Sequence, residues 1–245
     1  MKFTLEDLKI EWLGPCDYEH GLELQLAATE SVKQTLRARV LACEHPTVIT
    51  LGKRGQSFAD ILTSMETLRE KNIKIIATDR GGQATLHNPG QLVIYPIIPL
   101  REWGIGVREY VECLERATAH FLAEYGMDVE RGAEPGLYVS GRKLAAFGIR
   151  IDRGVSLHGL AININNDLDS FSLIRQCGQI VLPTNLAIEM ASFGVSREWN
   201  FSDEAQKWLG LFLEEIKNLQ KISTITSQPQ EAEDSQPMVE HSGLE

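Results

Sequence analysis

Residues 136–164 read GLYVSGRKLAAFGIRIDRGVSLHGLAINI. This stretch contains three β-rich runs, at 136–139, 144–151 and 157–164. The turns between them are short and contain glycine: Ser140-Gly141-Arg142 and Arg153-Gly154. Turns of this length between strands are typical of antiparallel hairpins. The stretch therefore predicts three strands that are antiparallel neighbours in one sheet.

Further strands and helices are predicted on the N-terminal side of this stretch. Three more β-rich runs lie at 47–51, 73–77 and 92–98, and long helices are expected at 18–40 and 109–125. In the second helix, apolar residues recur at spacings of four and three and form one stripe; they are Tyr110, Leu114, Ala117, Phe121 and Tyr125. Strands joined by both hairpins and helices predict an α/β (α+β) fold, a mixed, largely antiparallel sheet with packed helices.

The C-terminal part of the chain contains one more predicted helix and a distinct tail. Ser202, followed by Asp203 and Glu204, is typical of a helix N-cap, and Trp208, Leu209, Phe212, Ile216 and Leu219 would form the buried face. Residues 222–245 contain no aromatic residue, Lys or Arg. Their five acidic residues supply half of the chain's formal net charge of −10. We predict one catalytic domain over residues 1–221 and a disordered acidic tail over 222–245.

Composition and charge exclude several functional classes. The acidic balance argues against a protein that binds nucleic acid by neutralising phosphates. The longest apolar run, residues 92–100, is far shorter than the ~20 residues that cross a bilayer, and the N-terminus resembles no signal peptide. Four scattered cysteines form neither a C-x-x-C pair nor a disulfide framework. We expect a cytoplasmic protein with free thiols, no metal and no membrane association.

Three stretches carry candidate chemistry, and each has a simpler structural interpretation. Residues 79–95, DRGGQATLHNPGQLVIY, form either a ligand-binding loop or a long hairpin with turn residues at its ends. Lys143 begins an apolar strand, where it is either functional or a solvated strand end. Cys177 precedes a glycine in a polar segment and is the cysteine expected to be accessible; the other three are expected to be buried small hydrophobes.

Taken together, these stretches resemble the lipoyl/octanoyl transferase family between about residues 8 and 212. The resemblance rests on Arg80-Gly81-Gly82-Gln83-Ala84-Thr85-Leu86-His87 with Pro89-Gly90-Gln91 and Tyr95, on Gly141-Arg142-Lys143-Leu144-Ala145-Ala146-Phe147-Gly148, on Leu157-His158-Gly159-Leu160-Ala161 with Asn163, and on Cys177-Gly178. The 34-residue separation of Lys143 and Cys177 also resembles the family pattern. Asn88 stands where the family usually has glycine, and Gln176 where it usually has proline. The second change implies a freer backbone before the cysteine.

The resemblance implies a fold like that of biotin and lipoate ligases, and a site. Cys177 would be the nucleophile that carries an acyl thioester, with Lys143 supporting the thiolate and accepting a proton from the incoming lysine. The acyl chain would lie against residues of three stretches, which are Arg80, Gly81, Gly82, Gln83, Ala84, Thr85, Leu86, His87, Ala146, Phe147, Gly148, Gly159, Leu160 and Ala161. No cofactor is implied.

The implied reaction transfers an octanoyl group from acyl carrier protein to a specific lysine of a lipoyl domain. The implied acceptors are the lipoyl domains of 2-oxoacid dehydrogenase complexes and the glycine-cleavage carrier protein, and a monomer is expected. Acyl carrier proteins are acidic, and Arg142, Lys143, Arg150 and Arg153 against Asp152 predict a basic rim, with Lys53, Arg54 and Arg175 reinforcing it. Two alternatives stay open: an ATP-dependent lipoate or biotin ligase, and a non-catalytic module that binds lipoyl domains.

Overall fold

The computed structural model describes residues 8–55, 58–132, 134–175 and 181–226, with side chains described as far as residue 219. The strands are β1 (Ile10–Pro15), β2 (Arg39–Glu44), β3 (Val48–Leu51), β4 (Lys74–Ala77), β5 (Ala84–His87), β6 (Gln91–Ile97), β7 (Glu130–Arg131), β8 (Gly136–Val139), β9 (Arg142–Asp152) and β10 (Val155–Asn163). The helices are α1 (Tyr18–Thr35), α2 (Met65–Glu70), α3 (Val107–Ala123), α4 (Leu186–Ser192) and α5 (Phe201–Thr226).

The described strands form a large sheet and a small one. The large sheet has the order β1-β2-β6-β10-β9-β8-β7, and within its described part every neighbouring pair except β1 and β2 is antiparallel. The small sheet has the order β4-β3-β5, with β3 parallel to β4 and antiparallel to β5. The predicted mixed, largely antiparallel α/β fold with packed helices is confirmed.

The two predicted hairpins join β8, β9 and β10. Val139 pairs with Arg142 around Ser140-Gly141, and Asp152 pairs with Val155 around Arg153-Gly154. All four turn residues have positive φ, between 49° and 90°. Positive φ at both central positions matches the right-handed twist of the flanking strands, so these turns fix the register of the hairpins.

Helices cover both faces of the large sheet. Four of the five predicted stripe residues, Tyr110, Leu114, Ala117 and Phe121, are completely buried against one face together with the buried side of α5. Tyr125 lies beyond the end of α3 and is half-buried. On the other face, Ala28 and Val32 of α1 pack over β2, β6 and β10. The small sheet has a core of its own, built from residues such as Ile49, Leu68 and Leu86. The site described below lies against the central strands of the large sheet, next to the small sheet.

The first and last helices differ from the sequence prediction, and α3 begins and ends two residues earlier than predicted. The first helix ends at Thr35, because Leu36 adopts a left-handed conformation (φ 58°) and its N–H bonds to the Val32 carbonyl, so residues 39–44 are free to form β2. The last helix is capped by Asn200 and not by Ser202, since the Asn200 side-chain oxygen accepts hydrogen bonds from the N–H groups of Ser202 (3.1 Å) and Asp203 (3.4 Å). This helix continues to Thr226, so residues 222–226 of the predicted tail are helical.

Other differences concern short strands. The sequence prediction left β1, β2, β5 and β7 unassigned. It interpreted residues 79–95 as either a ligand-binding loop or a long hairpin, whereas Ala84–His87 forms β5 and pairs with β3. Except for β7, these strands are paired with partners distant in sequence, which local patterns do not reveal. Within the described part of the chain, no helix combines the length and the apolar character needed to cross a bilayer.

Candidate active site

A cavity of about 230 Å³ lies against the central strands of the large sheet, next to the small sheet, and residues of both α1 and α3 line it. Its floor is formed where β9 and β10 pair through small residues, since Ala146 lies opposite Ala161 and Gly148 lies opposite Gly159. Small side chains on neighbouring strands leave space above the sheet that larger residues would fill. The floor can therefore accommodate a slender apolar chain.

Most of the predicted binding residues surround this cavity. Those that line it are Arg80, Gly81, Gly82, Ala84, Thr85, His87, Ala146, Phe147, Gly148, Gly159, Leu160 and Ala161. Two others face elsewhere. Leu86 is buried in the core of the small sheet, and the Gln83 carbonyl accepts hydrogen bonds from Arg80 Nη2 and the Gly52 N–H. A contact of any of these residues with substrate stays a prediction.

Arg80 is buried and its guanidinium braces the loop around it. Nε donates to Thr50 Oγ1 (3.1 Å), and Nη2 donates to the Thr50 carbonyl (2.7 Å) and the Gln83 carbonyl (2.7 Å). Nη1 donates to the Gly81 carbonyl (2.9 Å). These bonds join the end of β3 to the loop before β5. Arg80 thus fixes the shape of the cavity wall, a role that its planar set of donors suits.

A tight turn at residues 52–55 packs against the same loop. The N–H groups of Gly52, Lys53 and Arg54 donate to carbonyls of residues 83, 80 and 82. A Cβ at Gly52 would lie 2.5 Å from the Gly82 carbonyl oxygen, so the close approach requires glycine. The turn presents Lys53 and Arg54 to solvent, and Arg54 lines the cavity. Neither side chain forms an ion pair with another described residue.

The basic rim predicted around β9 is largely neutralised by acidic partners. Arg142 forms an ion pair with Glu189 (2.8 Å), Arg150 is paired with Asp79, and Asp152 binds Lys33 (2.6 Å). At the cavity mouth, Lys53 and Arg54 of the turn at residues 52–55 carry positive charge without an acidic partner among the described residues. A count of charges along the sequence could not reveal these ion pairs, because the partners belong to distant segments of the chain.

Lys143 is buried (4% exposed) and lines the cavity because of a β-bulge. The pairing of β8 and β9 passes from Leu137–Ala145 to Tyr138–Lys143, so that Leu144 is an extra residue on β9. In regular alternation Leu144 would share the face of Ala146, and Lys143 would lie on the opposite face. The bulge places Leu144 in the hydrophobic core and turns Lys143 toward the cavity.

The neighbours of Lys143 hold its side chain and its backbone. Its Nζ lies 5.3 Å from the centre of the Tyr138 ring, within the range of a cation–π interaction. Its N–H donates to the Leu182 carbonyl, and its carbonyl accepts from the Thr184 N–H, both at 2.9 Å. A Cβ at Gly136 would lie 2.9 Å from Lys143 Cε. Lys143 is therefore not the solvated strand end that the simpler interpretation proposed.

A chain of buried polar groups leads from the strand of Lys143 to His87. Asn163 Nδ2 donates to the Thr184 carbonyl (2.9 Å), and Gln91 Nε2 donates to Asn163 Oδ1 (2.9 Å). His87 Nδ1 in turn donates to Gln91 Oε1 (3.1 Å). Burial, with His45 and Arg80 nearby, lowers the pKa of His87 to about 3, so the ring is neutral at physiological pH.

Tyr18 and Tyr95 form a further wall of the cavity. The sequence prediction missed Tyr18, and it gave Tyr95 no role in the site. His45 Nδ1 bonds to the Cys16 carbonyl (2.6 Å), which makes this nitrogen the donor and leaves Nε2 to accept from the Tyr95 hydroxyl (2.7 Å). Burial raises the pKa of Tyr95 well above its ordinary value, so the hydroxyl stays protonated. No local pattern marks Tyr18, because α1 and the cavity floor are brought together only by the tertiary structure.

His158, which belongs to the stretch that resembles the family, lies at the cavity with an unusual backbone. It has a φ of 59° and is 2% exposed, and its Nε2 lies 2.7 Å from Asp79 Oδ1. Burial, with Arg80 and Arg150 nearby, lowers the pKa of His158 to about 3. Arg150 also pairs with Asp79 and offsets the charge of that carboxylate. The neutral ring donates from Nε2 to Asp79.

Cys177 lies outside the described residues, as does Gln176. The three other cysteines are free and buried, as predicted. Burial raises the pKa of Cys113 to about 12 and that of Cys43 well above its ordinary value, and it also raises that of Cys16. These thiols are protonated at neutral pH and are poor nucleophiles. Among the residues that the structure describes, no group of three His, Cys, Asp or Glu could hold a metal ion.

Sequence comparison relates the chain to curated proteins over most of its length. Residues 17–186 match the lipoyl protein ligase A/B catalytic domain. The octanoyltransferase of Halorhodospira halophila is 42% identical over 185 residues, which is 75% of this chain and 82% of the relative. The octanoyltransferase of Alkalilimnicola ehrlichii is 40% identical over 175 residues, 71% of this chain and 78% of the relative.

Structural comparison agrees on the fold. Lipoate-protein ligase A bound with ATP superposes with a TM-score of 0.61 at 13% identity, covering 88% of this chain and 92% of that protein. Biotin protein ligase from Aquifex aeolicus superposes with a TM-score of 0.53 at 13% identity, covering 87% and 72%. The predicted resemblance to the biotin and lipoate ligase fold is thereby confirmed. The chain belongs to the lipoyl protein ligase A/B catalytic domain family, and its curated relatives identify it as an acyltransferase.

Proposed function

We propose that this protein transfers an octanoyl group from octanoyl-acyl carrier protein to a specific lysine of lipoyl domains, through an acyl thioester on Cys177. The observation that carries the proposal is the buried side chain of Lys143, turned by a β-bulge into a cavity with a floor of small residues. The curated relatives named octanoyltransferases support the eight-carbon acyl group. One neighbouring structure is of a lipoate protein ligase and its E2 lipoyl domain, which supports a lipoyl domain as acceptor.

The position of Cys177 in the sequence supports its pairing with Lys143. Leu182, whose carbonyl accepts a hydrogen bond from the Lys143 N–H, lies five residues after Cys177. Five residues span at most about 18 Å even when fully extended. The described cysteines are protonated and buried, so Cys177 is the thiol best suited to act as the nucleophile.

In the first half-reaction, the Cys177 thiolate attacks the octanoyl carbonyl carbon. The C–S bond to the carrier breaks as the C–S bond to Cys177 forms, and the leaving thiolate takes a proton from the Lys143 ammonium. One thioester replaces another, so the exchange is nearly isoenergetic and requires no ATP. The Lys143 ammonium also stabilises the thiolate before attack.

In the second half-reaction, the neutral Lys143 amine accepts a proton from the ammonium of the incoming lysine. The free amine attacks the thioester, the C–N bond forms and the C–S bond to Cys177 breaks. The attacking nitrogen releases its second proton to solvent. The cycle ends with the Cys177 thiolate beside the Lys143 ammonium, and overall an amide, a carrier thiol and one proton have been formed.

Mass spectrometry of the intact protein tests this function. Mixing with octanoyl-acyl carrier protein, without ATP, should add one octanoyl group that maps to Cys177 and is absent from Cys177→Ser. Adding a lipoyl domain should then move the group to the lysine of that domain. Cys113→Ser is the matched control, and it should keep the adduct because this thiol is buried and protonated.

Two other outcomes would contradict the proposal. The absence of an adduct, combined with a strict requirement for ATP and free octanoate, would identify a ligase that makes an adenylate. Binding of the lipoyl domain without transfer under either condition would identify a non-catalytic module.

We expect the turn at residues 52–55 to attract the acidic carrier protein. Lys53 and Arg54 are exposed and unpaired among the described residues, so reversing their charge should weaken the encounter with an acidic partner. Lys53→Glu with Arg54→Glu should raise KM for octanoyl-acyl carrier protein about tenfold at low salt, and less at high salt.

The controls separate docking from chemistry. A small octanoyl thioester, such as octanoyl-pantetheine, should lose much less in the same double variant. Arg37→Glu reverses an exposed arginine that does not line the cavity and should leave the KM for the carrier substrate unchanged. An equal loss with carrier and small thioester would show that the turn acts on the acyl site and not on docking.

A further inference from the structure

The strand that carries Lys143 changes its neighbour close to this residue. β10 pairs with β9 only as far as Ala145. Two positions away on β9, Lys143 pairs instead with Pro183, in parallel orientation. Because β8 occupies the other edge of β9, residues 182–184 continue the large sheet in the place that β10 leaves. In the sequence, these residues follow Cys177 by five to seven positions.

One side chain bridges this junction. Asn163, the last residue of β10, is buried, with 6% of its surface exposed. Its Nδ2 donates to the Thr184 carbonyl (2.9 Å) and to the Lys143 carbonyl (3.4 Å). The Thr184 N–H donates to the same Lys143 carbonyl (2.9 Å). Asn163 therefore ties the end of β10 both to Lys143 and to the segment that follows Cys177.

The amide of Asn163 is held in one orientation by its other neighbours. Its Oδ1 accepts from Gln91 Nε2 (2.9 Å) and from Asn166 Nδ2 (3.3 Å). Gln91 is itself oriented by His87, since the neutral ring donates from Nδ1 to Gln91 Oε1. With its oxygen engaged by two donors, Asn163 directs its NH₂ group toward the two backbone carbonyls.

We propose that Asn163 is a positioning residue for the reacting pair Cys177 and Lys143. By holding residues 182–184 against Lys143, it sets the geometry in which the thiolate and the ammonium meet. This inference rests on the proposed function. Asn163 acts through two backbone carbonyls and takes no part in the bonds that are made or broken.

Asn163→Leu tests this role, because leucine has a similar size but can neither donate nor accept. We expect kcat for octanoyl transfer to fall at least about tenfold, with KM for octanoyl-acyl carrier protein within about twofold, since the reacting groups are displaced while the docking surface is unchanged. The onset of Cys177 alkylation by iodoacetamide should move to higher pH, because a displaced ammonium stabilises the thiolate less. Asn163→Asp keeps both accepted hydrogen bonds, but its carboxylate cannot donate, so it should show the same changes.

Asn88→Ala is the matched control from the same network. Asn88 is a buried asparagine (1% exposed) that accepts from Asn166 Nδ2 (3.0 Å) and donates to the Asp167 carbonyl (2.6 Å). Neither bond reaches Lys143 or Thr184. The variant should lower the thermal unfolding midpoint, as Asn163→Leu does, but leave kcat and the alkylation profile close to those of the wild type.

Several results would overturn the inference. They are an unchanged alkylation profile or a loss carried by KM in a folded Asn163 variant, an equal change in Asn88→Ala, and failure of both Asn163 variants to fold, which would make the residue purely structural. Octanoyl transfer by the wild-type protein is measured in the same assay. Its absence would contradict the proposed function, whereas the alkylation profile reports on Cys177, Lys143 and Asn163 without any acyl transfer.

Discussion

Replacing Lys143 by methionine is expected to lower kcat/KM for octanoyl transfer by about 10²–10⁴-fold, the range typical of a lost acid–base group. Methionine fills much of the same space with apolar atoms, so the cavity wall should persist. Lys143 is buried, and methionine avoids the cost of keeping a charged group away from water. The thermal unfolding midpoint should therefore stay the same or rise while activity is lost.

Alkylation of Cys177 by iodoacetamide distinguishes the electrostatic role of Lys143 from its proton-transfer role. A nearby ammonium favours the thiolate, so in Lys143→Met the onset of alkylation should move to higher pH. Lys143→Arg keeps the charge but cannot accept a proton, and it should retain the low-pH onset while losing transfer. Lys74→Met, an exposed lysine bound to Glu19, is the control and should change neither property. An unchanged pH profile in Lys143→Met would refute the electrostatic role.

Gly159→Ala is expected to lower the free energy of unfolding by about 3 kcal/mol. A Cβ at this position would lie 2.1 Å from the Ile94 carbonyl oxygen and 2.9 Å from Pro96 Cδ. Both atoms belong to β6, which pairs with β10 in the middle of the large sheet, so neither can move without disturbing the strand. Urea denaturation measures the loss. Transfer should fall as well, since Gly159 is part of the cavity floor.

Gly210→Ala is the matched control, and its effect should have the opposite sign. Gly210 lies in α5, is exposed, and has no atom within 4 Å of an added Cβ apart from its own helix. Alanine restricts the unfolded chain and favours the helix, so the variant should gain about 0.5–1 kcal/mol. A loss below about 0.5 kcal/mol in Gly159→Ala would mean that β6 and β10 can separate more easily than their packing indicates.

Features of the fold that depend on residues close together in the sequence could be predicted from the sequence. The α3 stripe repeats with the helical period, and its first four residues are completely buried. The turns Ser140-Gly141 and Arg153-Gly154 encode hairpins through residues that accept positive φ. The end of α1 could not be predicted in this way. Leu36 is left-handed without being glycine, and the apolar residues Ala38 and Val40 continue the helical pattern into β2.

The family resemblance predicted more of the candidate site than the pattern of polar and small residues did. The loop with Arg80 and His87 and the small residues of β9 and β10 do lie around one cavity. The resemblance did not reveal that Arg80 donates hydrogen bonds to backbone carbonyls, or that Leu86 belongs to the core of the small sheet. The nucleophilic role of Cys177 stays a prediction, because this residue lies outside the described part of the chain.

By itself, the sequence determined the hairpin turns, the stripe of α3, the family and the residue types available for chemistry, because each is carried by short, contiguous patterns. Only the tertiary structure decided which way these residues face. An extra residue at Leu144 shifts the register of β9 and turns Lys143 into the cavity. Distant acidic residues neutralise the arginines of β9, and Asp79 fixes the ring of His158. Strand register and ion pairs join residues far apart in the chain, so no local pattern contains them.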